Sequence, residues 1–174
     1  FKKSYKNPKK NISSLDLEHG KTQPQALDLE EAVLGALMID NEALNTVIDI
    51  ISADSFYKEA HQEIFRGISN LFASSQPVDL LTVSNELKRN GQLEKIGGDY
   101  YLSQLTQKVA SSAHIETHAR IIVQKHIQRE LIKVSSNILK DAYDDTMDVL
   151  ELLDKAESNL FEISDGNIKK NYDS

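Results

Sequence analysis

VDLLTVSNELKRNGQLEKIGGDYYLSQL, residues 78–105, decides how this chain folds. Asp79 stands where a helix N-cap belongs, its carboxylate able to accept a backbone N–H of the first turn. Val83 and Leu87 follow four residues apart, on one helical face. Gly91 supplies the stop, because glycine takes the left-handed conformation that closes helices. Leu93 and Ile96 then predict one buried turn before Gly97-Gly98 releases the backbone for a change of direction. Tyr101, Leu102, Leu105 and Val109 mark a further helical segment. The Gly-Gly pair behind Lys95 also raises phosphate binding, but a phosphate loop requires G-x-x-x-x-G-K-[ST] between a strand and a helix. Lys95 precedes the glycines, so they are read as a turn.

Working outward toward the N-terminus, Pro24 opens a helix predicted over Asp28–Met38, with Asp28 as N-cap candidate and Glu30 and Glu31 suited to the positive end of the helix dipole. Its buried stripe is Val33, Ala36 and Leu37. Gly35 interrupts it at a cost of about 1 kcal/mol relative to alanine; it either permits close approach of a neighbouring helix or is merely tolerated. Asp40 or Asn41 caps a second helix through Leu44, Val47, Ile48 and Ile51. A short turn over Asp54–Tyr57 leads to the clearest amphipathic pattern, Ile64, Phe65, Ile68, Leu71 and Phe72, predicted to face the core. Gln76-Pro77 ends it, since proline disfavours helical geometry in the residue before it.

Toward the C-terminus, Ser111 or Ser112 can cap a helix that runs without Pro or Gly to about Tyr143, roughly 45 Å at 1.5 Å per residue. Asp144, Asp145 and Thr146 break the pattern, and Asp145 or Thr146 can cap a second helix to about Ser164, giving an αα-hairpin. The second arm carries a seam of Val149, Leu152, Leu153, Ala156, Leu160 and Ile163. The first arm carries two stripes: Ile127, Leu131, Val134, Ile138 and Ala142, and, about 100° round the axis, Ile121, Ile132, Leu139 and Tyr143. One stripe suffices for the partner arm. The other either docks on the preceding domain or is a protein interface.

Composition narrows the chemistry. The 174 residues are 40% hydrophobic and 27% charged, with no Trp and only seven Gly and three Pro, a helical profile with length for one cored domain plus extensions. The absence of cysteine removes disulfides, thiolate nucleophiles and Cys-based zinc sites, and a cytoplasmic setting fits it. No apolar run approaches the roughly 20 residues needed to span a bilayer. Net charge is −7, but residues 1–22 hold six Lys against Asp16 and Glu18, so the remainder carries −11. DNA binding needs clustered Lys and Arg, which sets the acidic body against direct DNA contact; FKKSYKNPKK reads as a solvated, flexible tail, the one segment with a composition for phosphate.

His114 and His118, in HIETH, have the i, i+4 spacing of metal ligands, but Ile115 stands where the zinc-protease pattern needs Glu, and Glu116 points about 160° away. With no third ligand they read as structural or surface histidines. The adjacent carboxylates Glu30-Glu31 and Asp144-Asp145 read as helix-start charges, since acid/base pairs require a shaped pocket. No G-x-S-x-G elbow occurs. No metal, cofactor or catalytic residue is assigned.

The 78–105 stretch, together with PQALDLEEAVLGALMIDNEA (residues 24–43), DSFYKEAHQEIFRGISNL and, more weakly, ARIIVQKHIQRELIKVSSNI, resembles the N-terminal domain of bacterial replicative DNA helicases of the DnaB type. The resemblance covers about residues 24–164. It departs at Asp28, Leu29 and Glu30, where the family usually has Glu-Ala-Glu. The expected fold is all-α, a compact six-helix domain followed by a long helical hairpin: residues 1–22 a flexible basic tail, 23–110 the helical globular subdomain, 111–164 the hairpin, and 165–174 the start of a linker to an ATPase domain outside the chain.

The resemblance implies hairpins paired between subunits, three pairs forming a hexameric collar around DNA, and a surface receiving the C-terminal domain of primase, with a helicase loader as a further partner and DNA contacted only indirectly. ATP and Mg belong to the separate motor, so the fragment alone is expected to be no enzyme. Dimer contacts are expected at Ile122, Val149, Leu153 and Leu160, and primase contacts at Tyr101, Ile132, Ile138, Leu139 and Tyr143. A free-standing adaptor or loader-like interaction module is the alternative, and a helical metalloenzyme at His114 and His118 a distant third.

Overall fold

A computed structural model describes residues 21–109 and 111–172, with side chains to residue 167. The basic tail expected over residues 1–22 lies almost wholly outside these residues. Eight α-helices follow in order, and no strand occurs among the described residues: α1 Leu27–Ile39, α2 Asn41–Val47, a 3-10 turn Ala53–Ser55, α3 Glu59–Ala73, α4 Leu80–Arg89, α5 Leu93–Ile96, α6 Gly98–Gln107, α7 Ile115–Ala142 and α8 Val149–Tyr172. Six helices precede a hairpin, as the residue pattern predicts.

Helix α1 is the hub. Its Val33, Leu34, Ala36, Leu37 and Met38 are all buried, wider coverage than a single stripe, because α2, α3, α4, α6 and α7 all pack around it. Gly35 is required there: a Cβ on it would fall 2.2 Å from the Leu105 carbonyl oxygen and 2.4 Å from Val109 Cγ2. The glycine lets α1 and α6 approach to backbone contact. Ile64, Phe65, Ile68 and Leu71 of α3 close the core, whereas Phe72, expected among them, is 39% exposed in the last turn, at the edge of the stripe.

The 78–105 stretch forms as read. Asp79 accepts from Thr82 N–H while Thr82 Oγ1 accepts from Asp79 N–H, a reciprocal cap. Gly91 (φ +67°), Gly97 (φ +109°) and Gly98 (φ +70°) all take left-handed backbone. Their role is therefore geometric.

Three caps differ from expectation. Helix α1 starts from Ala26, whose carbonyl accepts from Leu29 and Glu30 N–H, leaving Asp28 inside the first turn. Helix α7 starts after His114 with no side-chain cap, because Ser112 Oγ is spent on Asp40 Oδ2 at 2.6 Å and Ser111 Oγ accepts from Ala113 N–H. Helix α8 is capped by Asp148, which accepts from Leu150 and Glu151 N–H; Asp144 instead closes a turn onto Thr146. Helix α8 also continues through Gly166 to Tyr172, past the expected stop at Ser164. The first turns of α7 carry Ile115, Ala119 and Ile122 into the same core as α1. Further on, α8 packs on α7 and on no other described element.

Candidate interaction surface and its buried support

Because α8 packs only on α7 among the described elements, an amphipathic helix in that position covers one face and leaves the rest. The covered side is Leu152, Ala156, Asn159 and Ile163, all half-buried, facing an arm on which Val134 is buried. Lys155 Nζ reaches Asp141 Oδ2 at 2.6 Å across the arms, a surface pair worth at most about 1 kcal/mol. Val149, Leu150, Leu153, Leu160 and Phe161 remain exposed, at 69%, 71%, 54%, 44% and 68%. On α7, Leu131, Ile132 and Leu139 are exposed as well, as is Tyr143, the residue that ends the helix. Contiguous exposed aliphatic and aromatic side chains on one projecting element mark an interaction surface.

Of the expected dimer contacts, Val149, Leu153 and Leu160 share this open face of α8. Ile122 does not: at 1% exposure it is packed in the core by its own chain and has no surface left to offer a second copy. Of the expected primase contacts, Ile132, Leu139 and Tyr143 form an open stripe on α7 with Ile138 half-buried beside it. Tyr101 stands apart. It lies on α6, which shares no contact with α7, and its hydroxyl is engaged inward.

That engagement belongs to a polar cluster the sequence reading missed. Glu30 and His61 are 1% and 0% exposed. Glu30 Oε2 accepts from His61 Nδ1–H at 2.6 Å, and Glu30 Oε1 accepts from Tyr57 N–H at 2.7 Å. His61 Nε2 meets the Tyr101 hydroxyl at 2.7 Å, and Lys58 Nζ donates to the same oxygen at 2.9 Å. Each polar atom has a partner, as burial demands. Beside it, Lys108 donates to Glu31 Oε2 at 2.5 Å. That hydrogen bond, against some burial, holds the Glu31 carboxyl below its usual range, and it raises Lys108 above its own. One signal for the cluster was available: His61 lies three, four and seven residues before Ile64, Phe65 and Ile68, on the apolar stripe, where an imidazole needs a partner.

Arg129, also missed, ties α7 to the globule. Its Nη1 and Nη2 donate to the Pro24 and Ser55 carbonyl oxygens, each at 2.8 Å, with the guanidinium 5.5 Å from the Tyr57 ring centre. Burial lowers its pKa, and the Glu30 charge acts in the opposite direction.

No catalytic arrangement emerges among the described residues. His114 lies just outside α7 rather than on it, its ring 6.5 Å from that of His118, and no three His, Asp or Glu among the described residues converge to hold a metal. A cleft of about 490 Å³ between the arms is lined by mixed polar groups, Glu130, Lys133, Asn137, Asn159 and Glu162 among them. No described helix is long and apolar enough to cross a membrane.

Comparison with known proteins agrees with this geometry. The family model described as the DnaB-like helicase N-terminal domain matches residues 22–124. The replicative DNA helicase DnaB of Rhodothermus marinus is 45% identical over 91% of this chain and 17% of its own length. The crystal structure of the N-terminal domain of DnaB helicase from Mycobacterium tuberculosis superposes with a TM-score of 0.77 at 31% identity, covering 81% of this chain and 99% of that one. A DnaB-like replicative helicase studied with its interactions with primase shares the fold at a TM-score of 0.64 and 24% identity, over 78% of this chain and 30% of that one. The chain spans well under half the length of the curated relatives it matches.

Proposed function

The chain belongs to the family of DnaB-like helicase N-terminal domains, and from that membership we propose that it is the collar and docking domain of a hexameric replicative helicase in DNA replication. The observation that carries this reading is the apolar face of α8, Val149, Leu153 and Leu160, on a hairpin arm that among the described elements packs only on its own partner arm. Pairing of two copies through this face covers side chains that a monomer leaves in water, and three such pairs close a ring around DNA. The acidic balance of the body fits a collar that touches DNA only indirectly. The second stripe, Ile132, Ile138, Leu139 and Tyr143, then receives the C-terminal domain of primase, with Tyr101, apart on α6, as a separate contact. Primer synthesis is kept beside unwinding as a gain in effective concentration. A loader is a further partner, the setting is cytoplasmic, and ATP with Mg belongs to a motor domain beyond these residues, so this domain contributes assembly rather than catalysis.

Light scattering across a concentration series tests the self-association. The wild-type chain should gain mass with concentration, and the pair Leu153→Asp, Leu160→Asp should stay monomeric with unchanged helical content. Primase C-terminal domain added to wild type should form a complex that Ile132→Asp with Leu139→Asp abolishes. A mass that stays monomeric at every concentration, or primase binding indifferent to the α7 changes, defeats the corresponding half of the reading.

A further inference from the structure

The hairpin's apolar faces act only if the hairpin leaves the globule at a defined angle, and the structure shows what grips its root. Two side chains hold the same short stretch of backbone from opposite partners. Arg129, midway along α7, donates to the Ser55 carbonyl and to the Pro24 carbonyl. Glu30, buried on α1, accepts from Tyr57 N–H, and its other oxygen lies 3.5 Å from Lys58 N. Residues 55–58 therefore connect a buried carboxylate to a guanidinium that α7 sends into this part of the globule. Gln62 Nε2 adds a third hold on the stretch, donating to the Phe56 carbonyl at 2.8 Å.

The residue types suit the geometry. A guanidinium is a rigid planar fork whose two terminal nitrogens can serve two acceptors at once, which an ammonium on a flexible stem does not reproduce. The carboxylate end is fixed from behind by His61, itself held by Tyr101, so Glu30 cannot swing away without breaking a buried hydrogen bond. Side chains of α7 past this point, Leu131, Ile132, Leu139 and Tyr143, are exposed. Arg129 is thus placed where α7 passes from core helix to projecting arm.

We propose that Arg129 and Glu30 form a clasp on residues 55–58 that sets the angle of the hairpin, making them positioning residues for subunit pairing. This deepens the assembly reading above and rests on it for the pairing step alone. The clasp works through backbone that neither residue belongs to, so its two ends act as one unit: once Arg129 lets go, loss of Glu30 has no further effect on the hairpin angle.

The chain contains no cysteine, so Asn85→Cys on α4 and Ser158→Cys on α8, both exposed, give one spin-label pair that reports the hairpin angle. Pulsed dipolar distances should be narrow in the otherwise unchanged chain. Arg129→Lys, which keeps the charge and the α7 helix, should broaden the distribution and weaken self-association at least tenfold while retaining a cooperative melt. Adding Glu30→Gln to Arg129→Lys should broaden it no further. An unchanged, narrow distribution in Arg129→Lys overturns the clasp, since packing alone would then fix the angle; so does further broadening in the double variant. If distances broaden in Arg129→Lys but the starting chain never self-associates, the clasp stands and the pairing reading fails. If the starting chain associates and Arg129→Lys leaves both distance and association unchanged, the pairing stands and the clasp fails.

Discussion

Globule and hairpin are built from similar apolar periodicities, yet they resolve them in opposite ways. In the globule, Phe56, Ile64, Ile68, Leu102 and Leu105 are fully covered by residues of the same chain, and even the polar atoms of Glu30 and His61 are paired. In the hairpin, Leu153 and Phe161 are more than half exposed, and Tyr143 is 82% exposed. A helix embedded among several others buries its whole circumference, whereas a helix with one neighbour buries one face. The difference teaches that apolar content sets how much surface wants cover, while topology decides whether the chain itself supplies it. The globule's stability is internal; the hairpin's apolar face is left without cover by the described residues.

The strongest way to break that contrast is to open the buried cluster. Glu30→Ala strands His61 Nδ1 and Tyr57 N–H in a dry interior, and removing one member of such a buried pair costs about 3–5 kcal/mol. Urea denaturation should show the midpoint falling accordingly. A loss below about 1 kcal/mol would mean that water reaches the site and the globule is less closed than its burial implies. Next comes Gly35→Ala, whose methyl meets Leu105 backbone and Val109. Forcing α1 and α6 apart should cost about 1–3 kcal/mol, although alanine is the better helix former. A stabilised variant would show that the two helices can separate freely.

A smaller effect separates a local device from the packing around it. Asp79→Ala removes the reciprocal cap of α4 and should cost about 1 kcal/mol, while Asp79→Ser should recover most of it. On the hairpin, Leu153→Asp with Leu160→Asp should alter the chain's own unfolding free energy by no more than about 1 kcal/mol in all, because both side chains are already about half exposed. A large loss of intrinsic stability there would move them from interface to core and dissolve the contrast between the regions.

Much of this was legible in the residues. The six helices and the hairpin follow from spacing, and Asp79, Gly91 and Gly97-Gly98 carry local chemistry that acts within a few positions of themselves. What was illegible depends on partners distant in sequence. Glu30 looks like a helix-dipole charge until Tyr57, His61 and Tyr101, 27 to 71 residues further on, are brought to it. Ile122 and Leu153 are both apolar positions on hairpin arms, yet one lies where α7 is still inside the core and the other where α8 has left it. Periodicity ranks the faces of a helix and says nothing about where along its length the neighbours stop. The cap of α7 failed for the same reason in miniature: Ser112 had the right chemistry for a cap but was taken by Asp40.

The smallest expected effects concern pH, and they sharpen the comparison further. Glu31 is held low chiefly by the hydrogen bond from Lys108, and Lys108 is held high by the same bond. A carboxylate with a depressed folded pKa contributes stability above its unfolded pKa and loses it as pH falls through the folded value; the ammonium, raised, contributes below its unfolded pKa and loses it as pH rises through the folded one. The pair is therefore intact between the ordinary carboxylate and ammonium ranges. Glu31→Gln should lower the melting temperature slightly at neutral pH and flatten the acid and alkaline limbs by that same small amount, because the lysine is solvent-exposed and screened. In the hairpin, Asp144 is also held low, but by Thr146 two residues away. Asp144→Asn should leave the globule's acid limb unchanged and alter only hairpin readouts, since its bond joins nothing distant. If Asp144→Asn instead shifts the global acid transition as much as Glu31→Gln does, turn and globule unfold as one cooperative unit, and the hairpin's independence ends at its apolar surface.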